Sequence, residues 1–195
     1  MQPIDISFKN SKQPVCGSIL ISDPFLDEDY FRRSVVLLCS HENSDGSFGL
    51  VLNNFVKLDL HEIEHSFPDI NARISIGGPV DTEFLFFIHT YGELVEEATL
   101  IKGNLYFGGN YNDLREQILK DDDPEKNVRF FLGYSGWSAG QLKNELKENS
   151  WVVADNITEE EILATDNNNF WQFCLTKQGK VFETISKFPL NPNDN

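Results

Sequence analysis

The chain has 195 residues, 40% of them hydrophobic, and its 31 acidic residues against 16 lysines and arginines give a net charge of −15 at pH 7. A chain of this length and composition can bury a core as one globular domain without disulfide or metal cross-links. Its charge repels phosphate backbones and anionic lipid headgroups, which disfavours direct nucleic-acid binding and membrane-surface binding.

Strands outnumber helices in the order of predicted elements. Short apolar runs bounded by turn formers predict strands over residues 17–22, 35–40, 49–54, 73–80, 83–92, 99–109 (two strands) and 127–137. The pair Asp45-Gly46 predicts a β-hairpin between the second and third of these strands. Because hairpins dominate, we expect an α+β fold rather than a doubly wound parallel sheet.

Helical spacing of apolar residues predicts the helices. One begins after Asp59 and ends at Pro68, with Leu60, Ile63 and Phe67 on one face, and another covers residues 111–121. In the second helix Leu114, Ile118 and Leu119 share the apolar spacing, and a last helix over residues 170–179 ends at Gly179. We expect residues 1–15 to be an N-terminal arm, residues 16–188 a single domain and residues 189–195 an irregular tail.

The stretch from residue 133 to residue 151 combines turn glycines, aromatic residues and a helix start. Ser138 and Gln141 have the spacing of a capping box, so we predict a helix that begins at Ser138 and buries Leu142 and Leu146. Before it, glycines alternate with Tyr134 and Trp137, which predicts a glycine turn between strand and helix. This turn is either a packing device with its tryptophan in a crevice or a binding site beside a helix N-terminus.

Several blocks of the sequence resemble the bacterial AlgH/YqgE family. They are GSILISDPFLDEDYFRRSVVLLCSH, GLVLNN, ISIGGPV, LYFGG and GYSGWSAGQLKNELKENSW, in that order along the chain. The resemblance implies a single α+β domain with a bifurcated, barrel-like mixed sheet flanked by helices. Members are described as uncharacterised proteins or as transcriptional regulators, and the family supplies no established catalytic residues to carry over.

Two motifs suggest metal or thiol chemistry. Residues 61–65 read H-E-x-x-H, but the helix that carries them is short before Pro68 and has no evident third ligand, so we expect no zinc site. Cys39 and His41 are two residues apart at a strand end, where contact is possible. We expect Cys39 to complete an apolar run and His41 to begin the turn, rather than to form a nucleophile and its base.

Residues 136–140 match the G-x-S-x-G pattern of hydrolase nucleophile elbows, with Ser138 at the centre. An α/β-hydrolase also needs a histidine later in the chain, and the sequence has none after His89. We therefore expect no catalytic residues of that type, and Ser138 is predicted to cap the helix.

The glycine turns, the aromatic residues and a basic pair suggest one shallow cleft for a ligand or partner. If these segments converge, glycine backbone and a helix N-terminus edge the cleft and an arginine gives it charge. The predicted site residues are Arg32, Arg33, Gly77, Gly78, Tyr134, Trp137, Ser138 and Gln141.

These observations favour a binding or regulatory protein without catalysis, metal or cofactor. The expected partner is a protein or a small anionic ligand, and any effect on transcription would be indirect. The alternative is an enzyme of unknown reaction that uses the same glycine- and aromatic-rich cleft. The odd number of distant cysteines, the absence of a signal-like start and the lack of a stretch of about 20 apolar residues predict a cytoplasmic protein.

Overall fold

The computed structural model describes residues 12–26, 30–42, 44–164 and 169–188. The described strands are β1 (Ile19–Ser22), β2 (Val35–Glu42), β3 (Gly46–Val51), β4 (Phe55–Val56), β5 (Ile74–Ile76), β6 (Val80–His89), β7 (Thr99–Lys102), β8 (Leu105–Phe107), β9 (Val128–Trp137) and β10 (Trp151–Ala154). The described helices are α1 (Leu60–Ile63), α2 (Tyr111–Lys120), α3 (Gln141–Lys147), α4 (Glu159–Leu163), α5 (Phe170–Thr176) and α6 (Lys180–Ile185). Short 3₁₀ turns lie at Gly92–Leu94 and Pro124–Lys126.

All described strands belong to one mixed sheet, which confirms the α+β prediction. Its main path runs β10-β1-β2-β3-β9-β6-β8-β7 and does not close on itself. Strand β9 is the branch point, since its first half pairs with β6 on one edge and in parallel with β5 on the other. Its second half pairs with β3 instead, so the sheet splits in two at β9.

Buried side chains on both faces of the sheet form the core. The largest cluster lies between β1, β2 and β3 and the helices α4, α5 and α6, and includes Leu37, Leu50, Trp171 and Leu175. A second cluster packs α2 on β6 and β9 through Leu114, Ile118 and similar residues. The predicted partner Leu119 is instead 66% exposed.

Strand β9 corrects the predicted arrangement of strand, glycine turn and helix. The strand predicted over residues 127–137 is present, but Gly133 and Gly136 lie within it and not in a turn. Gly133 permits this course because its backbone has a positive φ of 67°, which glycine adopts without strain. A side chain would also not fit there, since the carbonyl oxygens of Gly78 and Val80 lie 2.7 Å from where a Cβ would be.

The start of α3 also differs from the prediction. Gly140, in the left-handed conformation, is the N-cap residue, and no side chain caps the helix. One half of the predicted capping box is present, because Gln141 Oε1 accepts the backbone N–H of Ser138 at 3.0 Å. The Ser138 hydroxyl donates to the same oxygen at 3.2 Å rather than accepting a backbone N–H.

The C-terminal part contains more helix than predicted. Helix α5 ends at Thr176, and Gly179 precedes α6 rather than ending the last helix. The acidic segment at residues 159–161 opens α4, where Thr158 and Glu161 form a reciprocal capping box. The predicted tail over residues 189–195 and most of the predicted arm, residues 1–11, lie outside the described residues. No described helix combines the length and apolar character needed to cross a bilayer.

Candidate functional site

The β2–β3 hairpin lies against the second half of β9 and forms one wall of a groove. Ser47 pairs with Trp137 and Phe48 with Gly136 across the two strands. Gly46 permits this approach, because a Cβ there would lie 2.3 Å from the carbonyl oxygen of Trp137. The turn of the predicted hairpin is therefore held against β9.

We call the resulting cavity the hairpin groove. Its volume is about 560 Å³. It is lined by Ser40, Glu42, Asp45, Gly46, Ser47, Phe48, Tyr134, Gly136, Trp137 and Ser138. Three of the predicted site residues, Tyr134, Trp137 and Ser138, thus line one cavity.

Aromatic rings form the wall of the hairpin groove. The Tyr134 ring lies 4.9 Å from Phe48 and 5.7 Å from Phe86 between centroids, and Phe48 lies 4.9 Å from Phe107. All four side chains are half-buried and pack on the main core, and Phe48 and Tyr134 line the groove itself. The wall is therefore preformed, which lowers the entropy lost when a ligand binds.

Trp137 contributes to the groove mainly as support. It is 5% exposed, and its indole packs against Phe31 and Trp151, with ring centroids 6.4 and 5.9 Å away. Its Nε1–H donates to Glu145 Oε2 at 2.8 Å, and Trp151 Nε1 donates to the same oxygen at 2.7 Å. Glu145 therefore fixes α3 against β9 and β10.

The predicted glycine pair lies under β9. Gly77 donates its N–H to the Leu132 carbonyl and accepts from the Ser135 hydroxyl at 3.1 Å. A Cβ on Gly78 would lie 1.8 Å from the carbonyl carbon of Tyr134. Both glycines are buried and let the chain between β5 and β6 cross β9, so they position Tyr134 without facing the groove.

The structure does not bring the side chain of Arg33 to the hairpin groove. Its guanidinium lies 4.8 Å from the Trp171 ring centroid and donates to the Phe188 carbonyl. Burial lowers the pKa of Arg33, and its contacts place it beside α5 and α6. Arg32 is exposed, and Gln141 lies beside Ser138 at the groove's outer end. The predicted cluster of eight residues is therefore only partly assembled.

Sequence reasoning missed the polar rim and one aromatic wall of the groove. Glu42 and Asp45 are exposed at the turn of the hairpin, and Phe48 follows on β3. Residues 41–49 are rich in turn formers, which concealed that β3 already begins at Gly46. The available signal was the spacing of Phe48 and Leu50, two residues apart as on one face of a strand. Because the two carboxylates of the lining, Glu42 and Asp45, are its charged groups, the groove favours positively charged partners.

The thiol and imidazole side chains proposed for chemistry have structural partners. Cys39 is buried, its Sγ–H donates weakly to the Leu37 carbonyl at 3.7 Å, and burial holds its thiol pKa well above the ordinary value. His41 Nδ1 lies 2.7 Å from the Ser47 hydroxyl and not beside the thiol. His61 and His65 each place Nδ1 within 2.8 Å of a backbone carbonyl, of Phe67 and His61 respectively.

Comparisons with known proteins span nearly the whole chain. A family model described as AlgH-like matches residues 19–183. A UPF0301 protein of Parabacteroides distasonis is 42% identical over 185 residues, covering 94% of this chain and 92% of that protein. A UPF0301 protein of Bacteroides thetaiotaomicron is 38% identical over 187 residues, covering 95% of this chain and 94% of that protein.

Two solved structures are similar in fold. The crystal structure of a Corynebacterium diphtheriae protein has a TM-score of 0.76 at 21% identity and covers 93% of this chain and 95% of that chain. The solution structure of the AlgH protein from Pseudomonas aeruginosa has a TM-score of 0.68 at 28% identity and covers 93% and 98%. Sequence and fold comparisons therefore agree on a single family.

Proposed function

The chain belongs to the AlgH-like family of bacterial proteins, and we propose that it is a cytoplasmic binding protein that docks a partner protein in the hairpin groove. Its regulatory effect is then exerted through that partner, without catalysis of its own. The observation that carries this proposal is the aromatic wall of partly exposed Phe48 and Tyr134 beside the exposed carboxylates of Glu42 and Asp45.

The chemistry of the groove supports a basic protein segment as the occupant. Aromatic rings with one exposed face bind apolar and cationic side chains, and they are common at the centres of protein interfaces. The two carboxylates at the hairpin turn attract lysine or arginine and increase the rate of encounter. A net charge of −15 over the whole chain acts in the same direction and opposes DNA.

The positions of the hydroxyl and thiol groups support binding over catalysis. The Ser135 hydroxyl is buried and donates to the Gly77 carbonyl, and the Ser138 hydroxyl donates to Gln141. Burial raises the pKa of the Cys39 and Cys174 thiols, which keeps both protonated near neutral pH. None of these groups has an activating base among its described hydrogen-bond partners.

Affinity capture with matched variants tests the proposal. The immobilised wild-type protein is expected to retain a basic partner from a lysate of its own organism. The variant Tyr134→Ser is expected to retain at least about tenfold less, because truncation of a central aromatic anchor typically costs about 2 kcal/mol or more. The double variant Glu42→Gln/Asp45→Asn is expected to reduce retention and its sensitivity to salt.

The control is Leu119→Ser on α2, which removes an exposed apolar side chain outside the groove. Circular dichroism and thermal unfolding establish that each variant is folded. Equal retention by the wild type and the two groove variants would disprove docking in the groove. Salt-sensitive DNA binding near physiological ionic strength in a gel shift would contradict an indirect regulatory role.

A further inference from the structure

A second cavity lies away from the hairpin groove, where the chain leaves β4 and returns to β5. Its volume is about 660 Å³. It is lined by residues 55–59 and 69–74. We call it the arginine cleft because of Arg73, which lines it, and Arg129, which lies directly behind one wall.

Arg129 on β9 is a fully buried cation. Its NH1 donates to the Ile162 carbonyl at 2.7 Å, and its NH2 donates to the Leu52 carbonyl at 2.6 Å and to Ser75 Oγ at 3.0 Å. Its Nε–H is buried without a hydrogen-bond partner. The guanidinium carbon lies 5.3 Å from the centroid of the Phe55 ring, which lines the cleft.

Arg73 places a second guanidinium beside the first. It donates to the Leu163 carbonyl, so the two arginines hold successive carbonyls at the C-terminal end of α4. Burial, and then repulsion by Arg73, lower the pKa of Arg129 to about 9, which leaves it mostly protonated at pH 7. Two like charges therefore lie side by side at the back of a cavity.

No described carboxylate forms an ion pair with either arginine or with Lys57, which also lines the cleft. Of the acidic lining residues, Asp59 uses its side chain to accept the backbone N–H of His61 at the start of α1. Asp69 is exposed. Buried or half-buried guanidinium charge without a counter-ion is unfavourable, and the C-terminal carbonyls of α4 offset only part of it.

We propose that the arginine cleft binds a small organic anion, whose oxyanion group is held by Arg73 and Lys57 and whose apolar part lies against Phe55, Val56 and Ile70. Arg73 presents a planar donor group suited to carboxylate or phosphate oxygens, and Lys57 supplies a mobile second charge. Arg129 is a positioning residue that keeps β4 and β5 in place behind the site. The site is independent of the hairpin groove.

The test uses benzoate and phenyl phosphate as probes and benzyl alcohol as a neutral probe of similar shape. Amide shifts of the protein are followed by NMR at constant ionic strength. Both anions are expected to give saturable shifts confined to residues 55–59 and 69–74, and the neutral alcohol is expected to give none. Whichever anion binds more tightly identifies the preferred head group, carboxylate or phosphate.

Matched variants separate the site from general charge effects. Lys57→Gln and Arg73→Gln are each expected to weaken binding about tenfold, because each removes a charge-assisted hydrogen bond. Lys143→Gln on the exposed face of α3 is expected to leave affinity unchanged. The Lys57 side chain is exposed and has no hydrogen bond or ion pair within the described part of the chain, so we expect its substitution to leave folding intact and to keep the test decisive.

Non-saturable shifts, shifts spread over the surface, or equal affinity of Lys57→Gln and Lys143→Gln would overturn the proposal. Shifts of the same size with benzyl alcohol would show an apolar cleft without anion recognition and would also overturn it. Partner capture by the hairpin groove is measured separately with Tyr134→Ser. A negative result for anion binding in the arginine cleft therefore does not contradict partner binding in the hairpin groove, and the reverse also holds.

Discussion

His89 at the end of β6 is a buried neutral histidine. Its Nε2–H donates to the Gly108 carbonyl at 3.0 Å, and its Nδ1 accepts the backbone N–H of Tyr91 at 3.2 Å. The rings of Tyr91 and Tyr106 stack with the imidazole at centroid distances of 5.9 and 5.8 Å. Both ring nitrogens have suitable partners only when the imidazole is neutral. A second proton, on Nδ1, would face the backbone N–H of Tyr91.

This environment makes stability depend on pH. Burial lowers the pKa of His89, against the smaller opposing effect of the bond to Gly108, whereas the unfolded side chain titrates near about 6.5. The folded state thus binds fewer protons, and the stabilisation is fully present above about pH 6.5 and lost as pH falls toward the folded pKa. The expected loss is about 1.4 kcal/mol for each unit by which the pKa is lowered.

The measurement is urea unfolding of the wild type and His89→Gln between about pH 5 and pH 8. Glutamine keeps a donor for Gly108 but does not titrate. The variant is expected to be less stable at pH 8, and its free energy of unfolding is expected to fall less on acidification. Parallel curves for the two proteins would contradict a neutral buried imidazole.

The substitution Gly78→Ala tests whether the chain between β5 and β6 crosses β9 in close contact. A Cβ there would overlap the Tyr134 backbone at 1.8 Å, so Gly78→Ala must displace a strand. The expected loss in free energy of unfolding is about 4 kcal/mol or more, in the range seen for severe overpacking. Failure to fold agrees with the same expectation.

Gly108→Ala is the matched control. Gly108 has a positive φ of 63°, but nothing lies within 4 Å of its added Cβ. Only backbone strain opposes this change, and its expected effect is about 1–2 kcal/mol. Urea unfolding of both variants measures the difference in their free energies of unfolding. Equal losses in Gly78→Ala and Gly108→Ala would contradict a close contact between Gly78 and the Tyr134 backbone.

At the scale of elements, Glu145 joins α3 to the sheet. Its carboxylate accepts from the indoles of Trp137 and Trp151 and, through Oε1, from Gln141 Nε2 at 2.9 Å. Glu145→Ala leaves two largely buried indole N–H groups without an acceptor, so the expected loss is about 2–4 kcal/mol. Glu145→Gln keeps an acceptor oxygen and is expected to lose about half as much.

Tryptophan fluorescence and urea unfolding follow these variants. A red shift of emission in Glu145→Ala is expected, because water enters where the carboxylate was. Glu148→Ala, at the exposed end of the same helix, is the control and is expected to change stability by less than about 0.5 kcal/mol. An equal effect of the two alanine substitutions would mean that the indole contacts do not hold α3.

Elements with local signals were predictable from sequence. The hairpin through Asp45-Gly46, the N-cap Asp59 and the helix α2 depend on residues near one another, and all three are present. The glycine turn was wrongly predicted at Gly133, because nothing local in the sequence shows that Gly77 and Gly78 lie against the backbone of residues 133 and 134. The burial of Arg129 could not be predicted, since alternation along a strand does not reveal that both faces are covered.

The candidate site was predicted only in part, because sequence shows local neighbours and not long-range contacts. Tyr134, Trp137 and Ser138 are adjacent in sequence and line one groove, whereas the placement of Arg33 depends on the distant Trp171 and Phe188. The role of Glu145 could not be predicted, because the two tryptophans that bond to it come from separate strands. Side-chain roles set by long-range packing are not encoded in local spacing.

At the scale of the whole molecule, the net charge of −15 opposes the compact state. Salt screens repulsion between exposed carboxylates over about 10 Å at 0.1 M. We therefore expect the midpoint of thermal unfolding to rise as sodium chloride is increased from about 0.02 to about 0.3 M, where the Debye length becomes shorter than typical charge separations. Potassium chloride is the control for ion-specific effects, and a midpoint that falls with both salts would contradict the expectation.

The position of β9 in the sheet has a consequence for synthesis on the ribosome. Its partners β3, β5 and β6 precede it, separated from it by as many as 90 residues between the paired Ser47 and Trp137. These strands keep unpaired edges until residue 137 has left the exit tunnel. Such long-range pairing folds slowly and exposes apolar strands meanwhile. We therefore expect apolar strand edges of the nascent chain to stay exposed over most of its translation.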